Sequence, residues 1–188
     1  AGKNRTMGSC GLALPGLGVR IINPENHKDA SLNQEGELIC RGPNVMQGYH
    51  NKPEETKKVL KDGWYYTGDL AKQDENGFLT ITGRLKEIII RGGQNISPTE
   101  VEEAILKNEK VLDCAVVGLP HDQLGEIPGA FVMLKEGYKL DEKNIIDECK
   151  KIISDYKVPE KIIETDNIPR TGSGKTMRYK LIQSYKSN

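Results

Sequence analysis

The sequence predicts an α+β protein in two parts, and three observations carry the prediction. Residues 1–84 read as short β-rich runs set between Gly, Pro and Asn turns. Residues 87–188 alternate strand-like apolar runs with segments whose apolar residues recur at helical spacing. The texture changes at Leu85–Lys86, so the boundary between the two parts is expected at residues 85–86. A central, mostly antiparallel sheet with flanking helices is expected for the second part.

In the first part, "GVRIIN" (Gly18 to Asn23) is a β-rich run stopped by Pro24. "GELICRG" (Gly36 to Gly42) is another, with glycine at both ends. "KPEETKKVL" (Lys52 to Leu60) reads as a short helix. Pro53 suits its first turn, and Glu54 and Glu55 precede Lys57 and Lys58, which complements the helix dipole. "GWYYTGDLAKQ" and "ENGFLTITGR" follow, with Asn76-Gly77 as a hairpin tip.

In the second part, Glu87 to Ile90 reads as a strand and Gly92-Gly93 as a turn into a helix. Ser97 is the expected cap, Pro98 occupies the first turn, and Glu100 stands at the capping-box position. Val101, Ala104 and Ile105 then recur at helical spacing. "LDCAVVGLP" and "GAFVMLK" are buried strands. "DEKNIIDECKKIIS" is an amphipathic helix with Ile145, Ile146, Cys149, Ile152 and Ile153 on one face. "PEKIIET" is a third strand, and a basic helix begins near Met177.

The 188 residues are 36% hydrophobic and 29% charged, the composition of an ordinary globular chain. Lys and Arg number 27 and Asp and Glu 27, so the net charge of zero offers no electrostatic footprint for nucleic acid or an anionic membrane. No apolar run approaches the ~20 residues of a transmembrane segment. The four cysteines are scattered, without metal-ligand spacing. That leads to the expectation of no metal site in this chain, of reduced, buried thiols and of a cytoplasmic location. The chain opens on Ala1, in mid-motif, and is expected to be part of a longer protein.

Four stretches carry candidate chemistry, each with a plainer alternative. In "YYTGDL" (Tyr65 to Leu70), the Asp69 carboxylate suits two hydrogen bonds to a ribose diol, or else bonds its own turn backbone. Arg84 sets a guanidinium beside a sugar or phosphate, or is a surface arginine. Gly92 and Gly93 in "RGGQNISP" let a backbone approach a ligand, or merely turn the chain. "IPRTGSGKT" (Ile168 to Thr176) ends like a phosphate-cradling P-loop. Pro169, however, stands where that pattern needs its first glycine, and it removes a backbone N–H. What is left is a flexible glycine loop presenting Lys175, or a plain solvated basic loop.

Taken in order, "GELICRGPNVMQGYHNKPEET", "GWYYTGDL", "GRLKEIIIRGGQNISPTEVEEAI" and "IPRTGSGK" resemble the adenylate-forming superfamily, over nearly the whole chain from Gly8 onward. The resemblance implies that residues 1–84 are the end of a large N-terminal AMP-binding domain and residues 87–188 a small mobile C-terminal domain. It implies an acyl-CoA synthetase that uses ATP, Mg2+ and CoA to activate a carboxylic acid, with a fatty acid first in order. Aryl-CoA ligases and carrier-protein-loading adenylation domains are the alternatives, and a non-catalytic module that keeps the fold is a third. By resemblance, Asp69 and Arg84 contact the nucleotide ribose, and Lys86 is the hinge residue. Gly92, Gly93 and Asn95 line the pantetheine tunnel, and Lys175 is the catalytic lysine that meets the carboxylate and α-phosphate. The family's Ser/Thr/Gly-rich phosphate loop and acyl pocket are absent. The expected partner is therefore a missing N-terminal region of the same chain, and these residues alone are expected to be inactive.

Overall fold

The structure, a computed structural model, describes residues 7–186. The outer limits of both expected parts, at Ala1 and Asn188, lie outside the described residues. The chain divides into two compact units between Lys86 and Glu87.

The first unit is an antiparallel sheet of five strands: β1 (Gly18–Ile22), β2 (Gly36–Arg41), β3 (Leu60–Lys61), β4 (Trp64–Gln73) and β5 (Leu79–Arg84). β4 is its spine. β2 runs along one edge, while β3 pairs with Trp64 and Tyr65 and β5 with the stretch from Asp69 to Gln73. Between β3 and β5, residues 66–68 have no strand partner on that side. The β4–β5 hairpin forms where Asn-Gly predicts it. Asp74 Oδ1 accepts from the N–H groups of Asn76 and Phe78, and Gly77 takes φ +86°. Helix α1 (Pro53–Val59) matches its expected position, and Lys57–Glu54 and Lys58–Glu55 pairs line its surface.

In the second unit, β8 (Val111–His121) and β9 (Gly125–Leu134) form a long antiparallel hairpin, and β10 (Lys161–Glu164) adds to β9 in parallel. Alternate residues of the hairpin face two cores. Cys114, Val116, Ala130 and Val132 pack with helices α2 (Pro98–Ile105) and α3 (Glu142–Cys149). Ala115, Val117, Leu119, Ile127 and Phe131 pack with Ile168 and with Leu181 of helix α4 (Arg178–Lys186). Burial on both faces explains why "CAVVGL" is an unbroken apolar run. Each large side chain so buried contributes about 1.5–3 kcal/mol.

Several expectations change. Glu87 is not in a strand: Leu85–Glu87 form a 3-10 turn, and β6 is Ile89–Arg91. A further strand, β7 (Gln94–Ile96), follows at once, because Gly92 and Gly93 at φ +55° and +82° make the two-residue turn of a tight hairpin. The Glu100 carboxylate does not close a capping box. Lys157 Nζ holds both of its oxygens at 2.7 Å, and Ser97 makes no side-chain cap bond. α3 ends at Cys149, short of Ile152 and Ile153. Ile152 is exposed, and Ile153 reaches the core from the following turn. Cys114 and Cys149 are buried as expected, but Cys10 is exposed and Cys40 half-buried.

Candidate functional site

The Thr67-Gly68-Asp69 stretch lies where the sheet is irregular. The β2–β4 register shifts between Glu37 and Ile39, and the β4–β5 register shifts between Leu70 and Ala71. Gly68 takes φ +69°, a conformation that favours glycine. Its N–H donates to the carboxylate of Glu37 at 3.1 Å, and Glu37 is only 6% exposed. The Thr67 hydroxyl donates to the Leu38 carbonyl at 2.7 Å and accepts from the Asp69 N–H at 3.0 Å. The turn backbone is therefore satisfied without the Asp69 carboxylate. That group meets Arg84 instead, its cross-strand partner, with Nε 3.0 Å from Oδ1. The pair is too exposed for its ion pairing to add much stability.

A cleft of about 590 Å³ opens beside this pair, within the first unit. Asp69, Arg84 and Lys86 all line it, together with Glu37 and the rings of His27, Tyr49, Tyr65 and Tyr66. His27 meets Tyr66 edge-on at 6.1 Å, and Lys61 Nζ lies 4.9 Å from the centre of the Tyr66 ring. Burial, the neighbouring Tyr49 and the charge of Asp69 push the Tyr65 phenol above its usual value, so it stays a neutral donor at physiological pH. A carboxylate and a guanidinium at the wall of a tyrosine-rich cleft suit a ligand with hydroxyl groups and a flat ring. Sequence reasoning missed Glu37. Its signal was an acid inside an otherwise apolar strand, "GELIC".

In the second unit, Gly92 and Gly93 form the tip of the β6–β7 hairpin, and Asn95 pairs with Ile90 on β7 rather than lying in a loop. The Gly92 N–H donates to the Leu124 carbonyl at 2.8 Å, which ties this tip to the β8–β9 turn. Lys175 stands on an exposed loop that is internally bonded rather than open. Thr171 N–H donates to Lys175 O and Gly174 N–H to Thr171 O, both at 2.8 Å, while Arg170 and Thr176 form a bridge. Gly174 supplies the turn at φ +83°. The Lys175 ammonium has no hydrogen-bond or ion-pair partner among the described residues. Among those residues no three His, Cys, Asp or Glu side chains converge to hold a metal, and no helix is long and apolar enough to cross a membrane.

Residues 1–50 match the AMP-binding enzyme family, and residues 100–175 match the AMP-binding enzyme C-terminal domain. The chain belongs to the AMP-binding, adenylate-forming family. One relative in this family is a long-chain-fatty-acid–CoA ligase of Bacillus subtilis, 42% identical over 187 residues, or 100% of this chain and 33% of the relative. Solved structures of adenylate-forming enzymes match nearly the whole of this chain. The ATP-bound crystal structure of MatB from Rhodopseudomonas palustris matches with a TM-score of 0.91 at 37% identity, over 98% of this chain and 37% of that one. The o-succinylbenzoate CoA synthetase (MenE) of Bacillus subtilis, in complex with its acyl-adenylate intermediate, matches with a TM-score of 0.84 at 33% identity, over 93% and 35% of the two chains. The chain thus spans about a third of the length of the family members it matches.

Proposed function

We propose that this chain is the C-terminal part of an ATP-dependent acyl-CoA synthetase acting on a fatty acid. The observation that carries the reading is the Asp69–Arg84 pair in the wall of the tyrosine-lined cleft. Residues up to Arg84 are the end of an AMP-binding domain, Leu85 and Lys86 the hinge, and residues from Glu87 a C-terminal domain that moves between half-reactions. Asp69 accepts hydrogen bonds from the ribose hydroxyls of ATP, and Arg84 donates to the same sugar. Gly92, Gly93 and Asn95 contact the pantetheine arm of CoA.

In the first half-reaction, a substrate carboxylate oxygen attacks the α-phosphorus of ATP. The bond to the bridging oxygen breaks, and pyrophosphate leaves. Negative charge gathers between carboxylate and phosphorus, and the Lys175 ammonium, unpaired among the described residues, neutralises it. In the second, the CoA thiol loses its proton and attacks the acyl carbonyl, and AMP leaves. Mg2+ belongs to the triphosphate in this reading, since the described side chains offer it no cluster of ligands. A relative that is a fatty-acid–CoA ligase favours the fatty acid. The likeness to o-succinylbenzoate CoA synthetase favours an aryl acid as second reading, and a carrier-protein acceptor is the third.

The test is ATP–pyrophosphate exchange by the longer enzyme against a panel of fatty and aryl acids. Lys175→Ala is expected to slow exchange by roughly 10²–10³-fold, and Asp69→Ala to raise the KM for ATP. Residues 1–188 alone are expected to give no exchange. Unchanged exchange in Lys175→Ala, or turnover by the 188-residue chain alone, refutes the reading.

A further inference from the structure

Among the described residues strand β8 pairs with β9 only, so its other edge is open to whatever else can satisfy it. At Val116 that edge is occupied by two side chains. The Val116 N–H donates to Glu102 Oε1 at 2.8 Å, and Arg178 Nε donates to the Val116 carbonyl at 3.1 Å. Arg178 also donates to Glu102 Oε1 at 2.7 Å, and its other terminal nitrogen lies 3.2 Å from the Glu87 carboxylate. The Glu102–Arg178 pair thus stands in the place of a neighbouring strand. It is well covered, with the two side chains 16% and 17% exposed. Three residues earlier on β8, Asp113 holds a second arginine: Arg170 donates to Asp113 Oδ2 at 2.7 Å. The same guanidinium reaches into the Lys175 loop, donating to the Gly174 carbonyl at 3.2 Å and to Thr176 Oγ1 at 3.1 Å.

Arg170 and Arg178 bracket the loop, five residues before Lys175 and three after it. Both are fastened to one strand. We propose that Arg170, held by Asp113, and Arg178, held by Glu102, are positioning residues that fix the Lys175 loop to β8. The inference rests on the role of Lys175 proposed above. A planar guanidinium with several donors suits this task, because each arginine must serve acceptors on different elements at once. Lysine keeps the charge but cannot reach them together. A loop whose two ends are bonded to a sheet carries its ammonium at a set place and still leaves it exposed, and a displacement of about 1 Å at such a group costs about 10²-fold in rate.

The test uses two variants in the longer enzyme, Arg178→Lys and Asp113→Asn. The second is half-buried and belongs to neither core, and it guards against a mere failure to fold. Each is expected to lower the pyrophosphate-exchange kcat by about tenfold to a hundredfold, with the KM for ATP within threefold of the parent. Thioester formation from supplied acyl-adenylate should be unchanged, and neither variant should slow Lys175→Ala further. Equal slowing of both half-reactions, or a full additional loss on the Lys175→Ala background, overturns the positioning role. Amide hydrogen exchange provides a readout independent of activity. The N–H groups of Thr171, Gly174 and Lys175 should exchange faster in both variants, and unchanged exchange there overturns the proposal. If the parent enzyme shows no adenylation, or Lys175→Ala is as active as the parent, the proposed function fails instead, while the exchange result still decides whether the two arginines hold the loop.

Discussion

Replacing Glu37 by alanine should free the backbone that carries Asp69. Its carboxylate accepts the Gly68 N–H at 3.1 Å in a setting only 6% exposed, and Gly68 stands there in a positive-φ conformation. A hydrogen bond to a charged group contributes about 1.5–3 kcal/mol, and a half-buried N–H left without a partner costs a similar amount. At about 1.4 kcal/mol per factor of ten, the Gly68 amide should exchange with solvent roughly ten- to a hundredfold faster in Glu37→Ala. Glu37→Gln keeps an acceptor oxygen at the same reach and should show a clearly smaller effect. The functional readout is ATP affinity in the longer enzyme. On the ribose role proposed for Asp69, displacing its carboxylate should weaken binding in the same order: parent tightest, then Gln, then Ala. Equal exchange at Gly68 in the parent and Glu37→Ala would show that the Thr67 hydroxyl and the strand pairing hold the turn by themselves. Glutamine, nearly the same shape, as damaging as alanine would show that the charge of Glu37, not an acceptor oxygen at that reach, is what the turn needs.

Four further outcomes are expected. In Gly129→Ala the new Cβ would stand 2.2 Å from Leu119 Cδ1 and 2.6 Å from its Cγ, so Leu119 must leave its place. Urea denaturation should show a loss of about 1–3 kcal/mol, whereas Gly172→Ala, with nothing within 4 Å, should be neutral or slightly stabilising. Asp141 caps α3 by accepting the Asn144 N–H at 3.1 Å, so Asp141→Ala should cost about 1 kcal/mol in the same assay. In native thiol labelling at pH 8, Cys10 should react first. Burial raises Cys149 to about 11 and Cys114 further still, so both should react only after unfolding. Burial also raises the Glu102 carboxyl, outweighing the opposing pull of Arg178, so the folded state holds its proton more tightly than the unfolded chain does. Its contribution to stability is therefore present below the ordinary glutamate range and lost as pH rises through the raised value, and Glu102→Gln should remove that part of the slope in denaturation midpoints.

Much of the fold was legible because its signals are local. Asn76-Gly77 names a hairpin by the backbone conformations those residues allow, and the unbroken apolar run of β8 follows from burial on both faces. The misses share a cause. In sequence, Gly92-Gly93 looks like a turn into a helix because only three residues, Gln94 to Ile96, separate it from Ser97. A strand that short has no periodicity to detect and exists only because β6 lies alongside to pair with it. The α3 pattern ran on through Ile152 and Ile153 because spacing alone cannot tell a helical face from a turn that returns one of those residues to the core. Glu100 fitted a capping box by position, yet its carboxylate was claimed by Lys157, 57 residues away.

The same distinction divides the two halves of the candidate site. The Thr-Gly-Asp geometry is written mostly within three consecutive residues: a hydroxyl that bonds the next turn, a glycine that permits φ +69°, and an acid thereby left for other partners. Glu37, 31 residues from Gly68, and the Leu38 carbonyl, 29 residues from Thr67, lie outside that reading. The Lys175 loop is the reverse. Its glycines read as flexibility, but its placement depends on Asp113, Val116 and Glu102, which lie 57 to 76 residues from the arginines they hold. An exposed loop carries an ammonium at a set place only if something fixes its ends, and no spacing within "IPRTGSGKT" could name those anchors. Glycines near a presented lysine therefore do not distinguish a loose loop from a tethered one. The arginines on either side do, once the strand they bind is known.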